Sequence, residues 1–186
     1  MLLESLAYSR DAVSAGEVWR IPASSLAHLS IAHLAGNLLA ATLLVSLLRG
    51  LVPARRALAV LCVGSLGVGL GVHWATTLAW YGGLSGAIHA LMAYGALALA
   101  QRRRWRRHGV ALFVLGAAQV AFDQSRTLSW LGEPLAPQAH LWGYASGAAF
   151  ALAGWVVATA VAHVVAWRVG ARVPPGSTPG QVTILP

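Results

Sequence analysis

Charge is scarce in this sequence. Only 10% of its 186 residues are Asp, Glu, Lys or Arg, where a soluble domain carries about 25%. Lysine is missing, so all thirteen strong cations are arginine, and only five residues are acidic. With 58% hydrophobic residues and a mean hydropathy of +0.66, an ordinary soluble domain is excluded. The chain reads as an all-α polytopic membrane protein. Cysteine is limited to Cys62, which rules out a disulfide framework and a cysteine-based metal site. A His-Glu-x-x-His motif is absent, and no histidine-rich pair recurs on two facing helices, which argues against a haem or metal protein. No cofactor is expected. The beginning of the chain lacks the n-region and h-region of a signal peptide. The formal net charge is +8, but the arginines cluster at the ends of apolar stretches. That distribution points to the lipid bilayer as partner and away from nucleic acid.

What is present is a series of five apolar stretches, at about residues 26–48, 57–78, 85–100, 110–131 and 139–167. The segments 49–56, 101–108 and 168–172 hold ten of the thirteen arginines. Five alternating spans put these three segments on one side, which the positive-inside rule makes the cytoplasm. The acidic residues fall in or near the other loops. Residues 1–25 are then an outer loop region with Trp19-Arg20 as an interface anchor, and 26–168 a membrane domain. Residues 169–186, rich in Pro and Gly, are a disordered cytoplasmic tail. Met1 falls on the outer side, a position that a preceding helix usually arranges, so a further span ahead of Met1-Leu2-Leu3 is expected.

The third stretch is short. A helix from Ser85 to Ala100 is about 24 Å long at 1.5 Å per residue, against a hydrocarbon core of roughly 30 Å. Pinned below by Arg102-Arg103-Arg104-Trp105-Arg106-Arg107, it ends beneath the opposite surface. Ser85 therefore sits within the membrane at a helix N-terminus, after the glycine-rich approach Gly82-Gly83-Leu84. Irregular backbone at that depth survives only where protein or a water-filled cavity satisfies it. A hydroxyl there is a candidate nucleophile, although a Gly-x-Ser-Gly string occurs by chance in many apolar chains.

Two further motifs open spans on the same side. His28-Leu29-Ser30-Ile31-Ala32-His33 leads to Asn37, and His33 and Asn37, four apart, share one helical face. Their N–H groups can donate to an oxyanion; helix–helix hydrogen bonding is the plainer reading. In Ala139-His140-Leu141-Trp142-Gly143-Tyr144-Ala145-Ser146-Gly147, Gly143 and Gly147 form a close-packing face. His140 lies about one turn before it. Gly86, Ala90 and Ala93 offer a matching face on the Ser85 helix, so close approach brings His140 toward Ser85. Taken alone, an intramembrane histidine is more often a packing residue.

In order, spacing and topology these motifs resemble the rhomboid intramembrane serine proteases: Trp19-Arg20, His28-x4-His33-x3-Asn37, Gly83-Leu84-Ser85-Gly86, and Ala139-His140-x2-Gly143-x3-Gly147. The resemblance covers roughly residues 17–168 and implies a rhomboid-like helical bundle with Ser85 as nucleophile and His140 as general base, a dyad without a buried Asp. It also implies an oxyanion hole of His33, Asn37 and the Ser85 N–H, with Gly83, Gly86, His89, Gly143 and Gly147 in support. Transmembrane proteins are the implied substrates. The small size, the sparse loops and His89, where many rhomboids carry an aromatic residue, look most like the rhombosortase branch. That branch is associated with bacterial substrates bearing a C-terminal Gly-Gly motif, one transmembrane helix and a basic tail. A bacterial inner membrane, with the site opening to the outer side, is the expected location. The competing reading is a catalytically silent membrane binding protein of the same fold.

Other polar residues receive plainer readings. His73 and Trp74 read as interface anchors, and His108 and His163 lie toward the cytoplasmic side. Asp123, the only acid placed within a span, is expected to pair with Arg126 at i+3 near the interface. Trp80, Trp130 and Trp142 are expected on the side of the site.

Overall fold

Local chemistry sets the ends of the helices into which the apolar stretches fold. The computed structural model describes residues 2–128, 132 and 134–170. Its elements are β1 (Tyr8–Ser9), α1 (Arg10–Ser14), α2 (Arg20–Ala23), α3 (Ile31–Leu48), α4 (Ala54–Ala75), β2 (Trp80–Tyr81), α5 (Ser85–Ala100), α6 (Arg106–Asp123) and α7 (Pro137–Gly170), with short 3-10 turns between some of them. Ser30 begins α3 by accepting the His33 N–H at 3.0 Å, the usual N-cap bond. That start is five residues later than position 26, because Ser24–Leu26 form a separate 3-10 turn. Pro53 precedes α4, in the extended conformation that introduces a helix. The fourth stretch is displaced most: α6 starts at Arg106 and stops at Asp123, where 110–131 was expected.

Among the described residues, three helices are long and apolar enough to cross a membrane: Ile31–Leu48, Ala54–Ala75 and Pro137–Arg168. The apolar helix α5 has 16 residues. The 18 residues of α6 begin with Arg106-Arg107-His108.

The segment before α3 is a folded layer. Tyr8, Val13 and Ile21 are buried with Val68 and Val72 of α4. Strand β1 pairs antiparallel with β2, Tyr8 opposite Tyr81 and Ser9 opposite Trp80. The Arg10 guanidinium donates to the carbonyls of Val72 at 3.0 Å, His73 at 2.8 Å, Thr76 at 2.8 Å and Leu78 at 3.2 Å. These include the orphan acceptors that any helix leaves at its C-terminus, where a cation is also favoured by the dipole. One arginine thus closes α4 and tethers the chain that leads to Ser85. Arg20 bonds Glu17 at 2.6 Å and the Ala7 carbonyl at 3.0 Å, while its neighbour Trp19 is exposed. His73 meets the Tyr8 hydroxyl at 3.0 Å, and Trp74 is exposed.

Small residues bring α4, α5 and α7 into backbone contact. A Cβ on Gly64 of α4 would lie 2.6 Å from the Ala90 Cβ of α5. Cβ atoms on Gly143 and Gly147 would overlap the carbonyl oxygens of Gly86 and Ala90. Helices α6 and α7 are tied by Tyr144, whose hydroxyl donates to the Phe113 carbonyl at 2.5 Å. Gln124 adds a second tie, its Nε2 donating to the Pro137 carbonyl at 2.9 Å. By compactness the chain divides into Met1–Ala151, which contains all of these contacts, and Leu152–Pro186. In the second unit the helix continues to Gly170, with its side chains largely exposed. The expected tail from 171 onward, like Trp130, lies outside the described residues.

Candidate active site

Ser85 opens α5, the first residue after a loop fixed from several sides. The Gly83 N–H donates to the Ser24 carbonyl at 3.1 Å, and the Tyr81 hydroxyl donates to the Gly83 carbonyl at 2.6 Å. Burial pushes the Tyr81 phenol above its ordinary range, which keeps it a donor. Gly83 has φ of +144°, a left-handed conformation that glycine alone adopts readily. This loop delivers the Ser85 side chain to a cavity of about 330 Å³ whose lining includes His33, Asn37, Tyr81, Asp123 and His140.

Across the cavity, His140 Nε2 lies 3.0 Å from Ser85 Oγ. The glycine contacts of α5 and α7 set that distance. His89, one turn after Ser85, stacks on the His140 ring with centroids 4.2 Å apart and planes 16° from parallel. Its own Nδ1 bonds the Ser85 carbonyl at 2.8 Å. On the other edge of His140, Nδ1 lies 2.8 Å from Asp123 Oδ2. Asp123 is 5% exposed and His140 7%.

This position of Asp123 corrects two expectations. The dyad implied by the family resemblance has no buried Asp, and the i+3 spacing suggests a pair with Arg126 near the interface. Instead, α6 ends at Asp123 and turns its carboxylate inward onto His140. The signal was an ionisable residue within an apolar stretch, which marks a functional site by default. The nearby arginine offered a simpler partner than a histidine 17 positions away.

Asn37 is 8% exposed, and its Nδ2 has no hydrogen-bond partner among the described residues. Leaving a donor so placed costs about 1–3 kcal/mol unless something in the cavity accepts it. His33 lies beside Gly83, where a Cβ would come 3.2 Å from its Nε2. Trp80 lines the cavity, whereas Trp142 packs against Gly71 of α4. His163 is exposed, and His108 packs on Trp105.

One donor atom each from His89, Asp123 and His140 lie within 4.8 Å of one another, a spacing that a metal ion tolerates. Both nitrogens of His140 and Nδ1 of His89 are already engaged, however, by Asp123, Ser85 Oγ and the Ser85 carbonyl. The two imidazoles are stacked face to face, so their in-plane lone pairs run side by side rather than converging. The arrangement fits proton transfer better than metal ligation.

No curated protein matches this chain. A family model described as the rhomboid domain matches residues 15–171, a range that takes in Ser85, His140 and the other residues lining the cavity. The chain belongs to the rhomboid family, whose members are generally intramembrane serine proteases.

Proposed function

We propose that this protein is an intramembrane serine protease that cleaves single-pass membrane-anchored proteins near or within their transmembrane segment. Ser85 is the nucleophile and His140 the general base. The observation that carries this reading is the 3.0 Å hydrogen bond between Ser85 Oγ and His140 Nε2 at the wall of a cavity.

The steps follow from that geometry. As Ser85 Oγ attacks the scissile carbonyl carbon, its proton passes to His140 Nε2 and the C=O electron pair moves onto oxygen. Asn37, His33 and the Ser85 N–H at the positive end of α5 donate to that oxyanion. Collapse expels the amine, which takes the proton back from His140. A second nucleophile, water in hydrolysis, enters the cavity and releases the acyl group by the same steps in reverse order. In this reading α3 to α7 are the five membrane segments, and α5 rises from the cytoplasmic side and stops short of the outer surface. The arginine-rich segments lie in the cytoplasm, and the cavity opens on the periplasmic side of a bacterial inner membrane. His89 and the small size favour a rhombosortase-type role, in which the substrate carries a Gly-Gly pair before its C-terminal anchor.

The test is a comparison of surface proteins from cells carrying wild-type, Ser85→Ala or His140→Ala alleles. Both variants are expected to retain C-terminal anchors that wild-type cells remove, with cleavage lowered by about 10⁴–10⁶, the scale of nucleophile knockouts in soluble serine proteases. Unchanged processing in Ser85→Ala cells contradicts the proposal.

A further inference from the structure

We infer that Asp123 is a positioning residue for His140, so that Ser85, His140 and Asp123 act as a triad rather than the serine and histidine as a dyad. This rests on the serine-protease reading above and deepens it. Three observations converge on it.

The first is hydrogen-bond logic. A carboxylate accepts and does not donate, so the 2.8 Å contact to Asp123 Oδ2 requires the proton on His140 Nδ1. Nε2 is then left with its lone pair, facing Ser85 Oγ at 3.0 Å. The opposite tautomer would set a lone pair against the carboxylate and an N–H against the hydroxyl that must be deprotonated. Asp123 thereby selects the one tautomer that can act as base, and its negative charge favours the imidazolium formed when the proton moves.

Location is the second. Asp123 is the last residue of α6, the negative end of the helix dipole, where an acid is disfavoured. It is also 5% exposed, and burying a carboxylate costs several kcal/mol unless it is well paired. Helix stability therefore gives no reason for an acid here; the imidazole does. The third is the surrounding framework. Gln124, the next residue, ties the end of α6 to the start of α7 through Val120 and Pro137, holding Asp123 and His140 in register. His89 fixes the ring from its face, and Asp123 fixes it from its edge.

The alternative is that the contact merely joins α6 to α7. The two roles separate in the labelling kinetics of purified protein with a fluorophosphonate fluorophore. In that reaction the Oγ–P bond forms, the P–F bond breaks, fluoride leaves and the hydroxyl proton passes to His140. Ser85→Ala is the control: labelling equal to wild type would overturn the protease reading itself, independently of Asp123. With that control blank, Asp123→Asn, which keeps shape and hydrogen-bonding capacity, is expected to lower the maximal labelling rate by about 10²–10⁴-fold, on the scale of the corresponding change in soluble triads. The half-saturating probe concentration should stay within about threefold of wild type, since the residue acts on the chemical step. Asp123→Ala should lose as much and recover at least about tenfold with sodium formate, which supplies the missing carboxylate, but not with sodium chloride. Asp123→Asn labelling within about threefold of wild type, counted per folded molecule, overturns the inference. A folded Asp123→Ala protein indifferent to formate does the same.

Discussion

At Gly83 a single hydrogen atom decides whether the site can form. The backbone φ is +144°, and a Cβ would approach His33 Cε1 to 3.0 Å. Gly83→Ala therefore meets both a strained backbone, worth about 1–3 kcal/mol, and a crowded imidazole. The expected outcome is labelling of Ser85 slowed by about 10–100-fold, the kinetic equivalent of that strain, with a lower melting temperature in the same detergent. A labelling rate equal to wild type would show that the loop has room to relax. Residues with distinctive local patterns were readable from the sequence: the glycines before Ser85, the four-residue step from His33 to Asn37, and His89 one turn beyond the serine. Asp123 stands out in the sequence as an acid in an apolar stretch, but its i+3 spacing points to Arg126, whereas its carboxylate meets His140. Its true contact depends on where α6 ends, and residue spacing within one helix carries no information about a neighbouring helix.

Among the helices, side-chain size does the positioning. Gly143 and Gly147 of α7 sit against the backbone oxygens of Gly86 and Ala90 in α5, and this contact sets the distance between His140 and Ser85. Gly143→Val would force the pair apart, with overpacking costing about 1–3 kcal/mol, and should lower labelling at least about 100-fold because a misplacement of about 1 Å costs that much. Gly154→Val, on the same helix but with open space around it, should leave labelling unchanged. Equal effects from both substitutions would mean that helix propensity, not close packing, is responsible. The matching small faces were legible because size is written residue by residue. The bounds of α6 and the roles of the N-terminal segment were not. Arg10 reaches carbonyls more than sixty positions away, and backbone acceptors leave no mark in a sequence.

The surface of the Met1–Ala151 unit is far more apolar than that of a soluble protein. Its outer surface carries Ile31 at 74% and Leu47 at 82% exposure, while His28, His89, Asp123 and His140 are all buried. Exposed apolar side chains and sheltered ionisable ones are what a lipid solvent requires, and Asn37, Asp123 and His140 among the buried polar residues line the cavity that holds Ser85. Composition alone made the membrane class legible; the meeting of Ser85 and His140, 55 positions apart, needed the packing of α5 on α7. The central claim is that this histidine makes this serine nucleophilic. It is tested most directly by treating wild-type and His140→Ala protein with a fluorophosphonate and locating the adduct by peptide mass spectrometry. The account predicts phosphonylated Ser85 in the wild type and none in His140→Ala; modification of a different residue, or equal modification of Ser85 in both proteins, would contradict it.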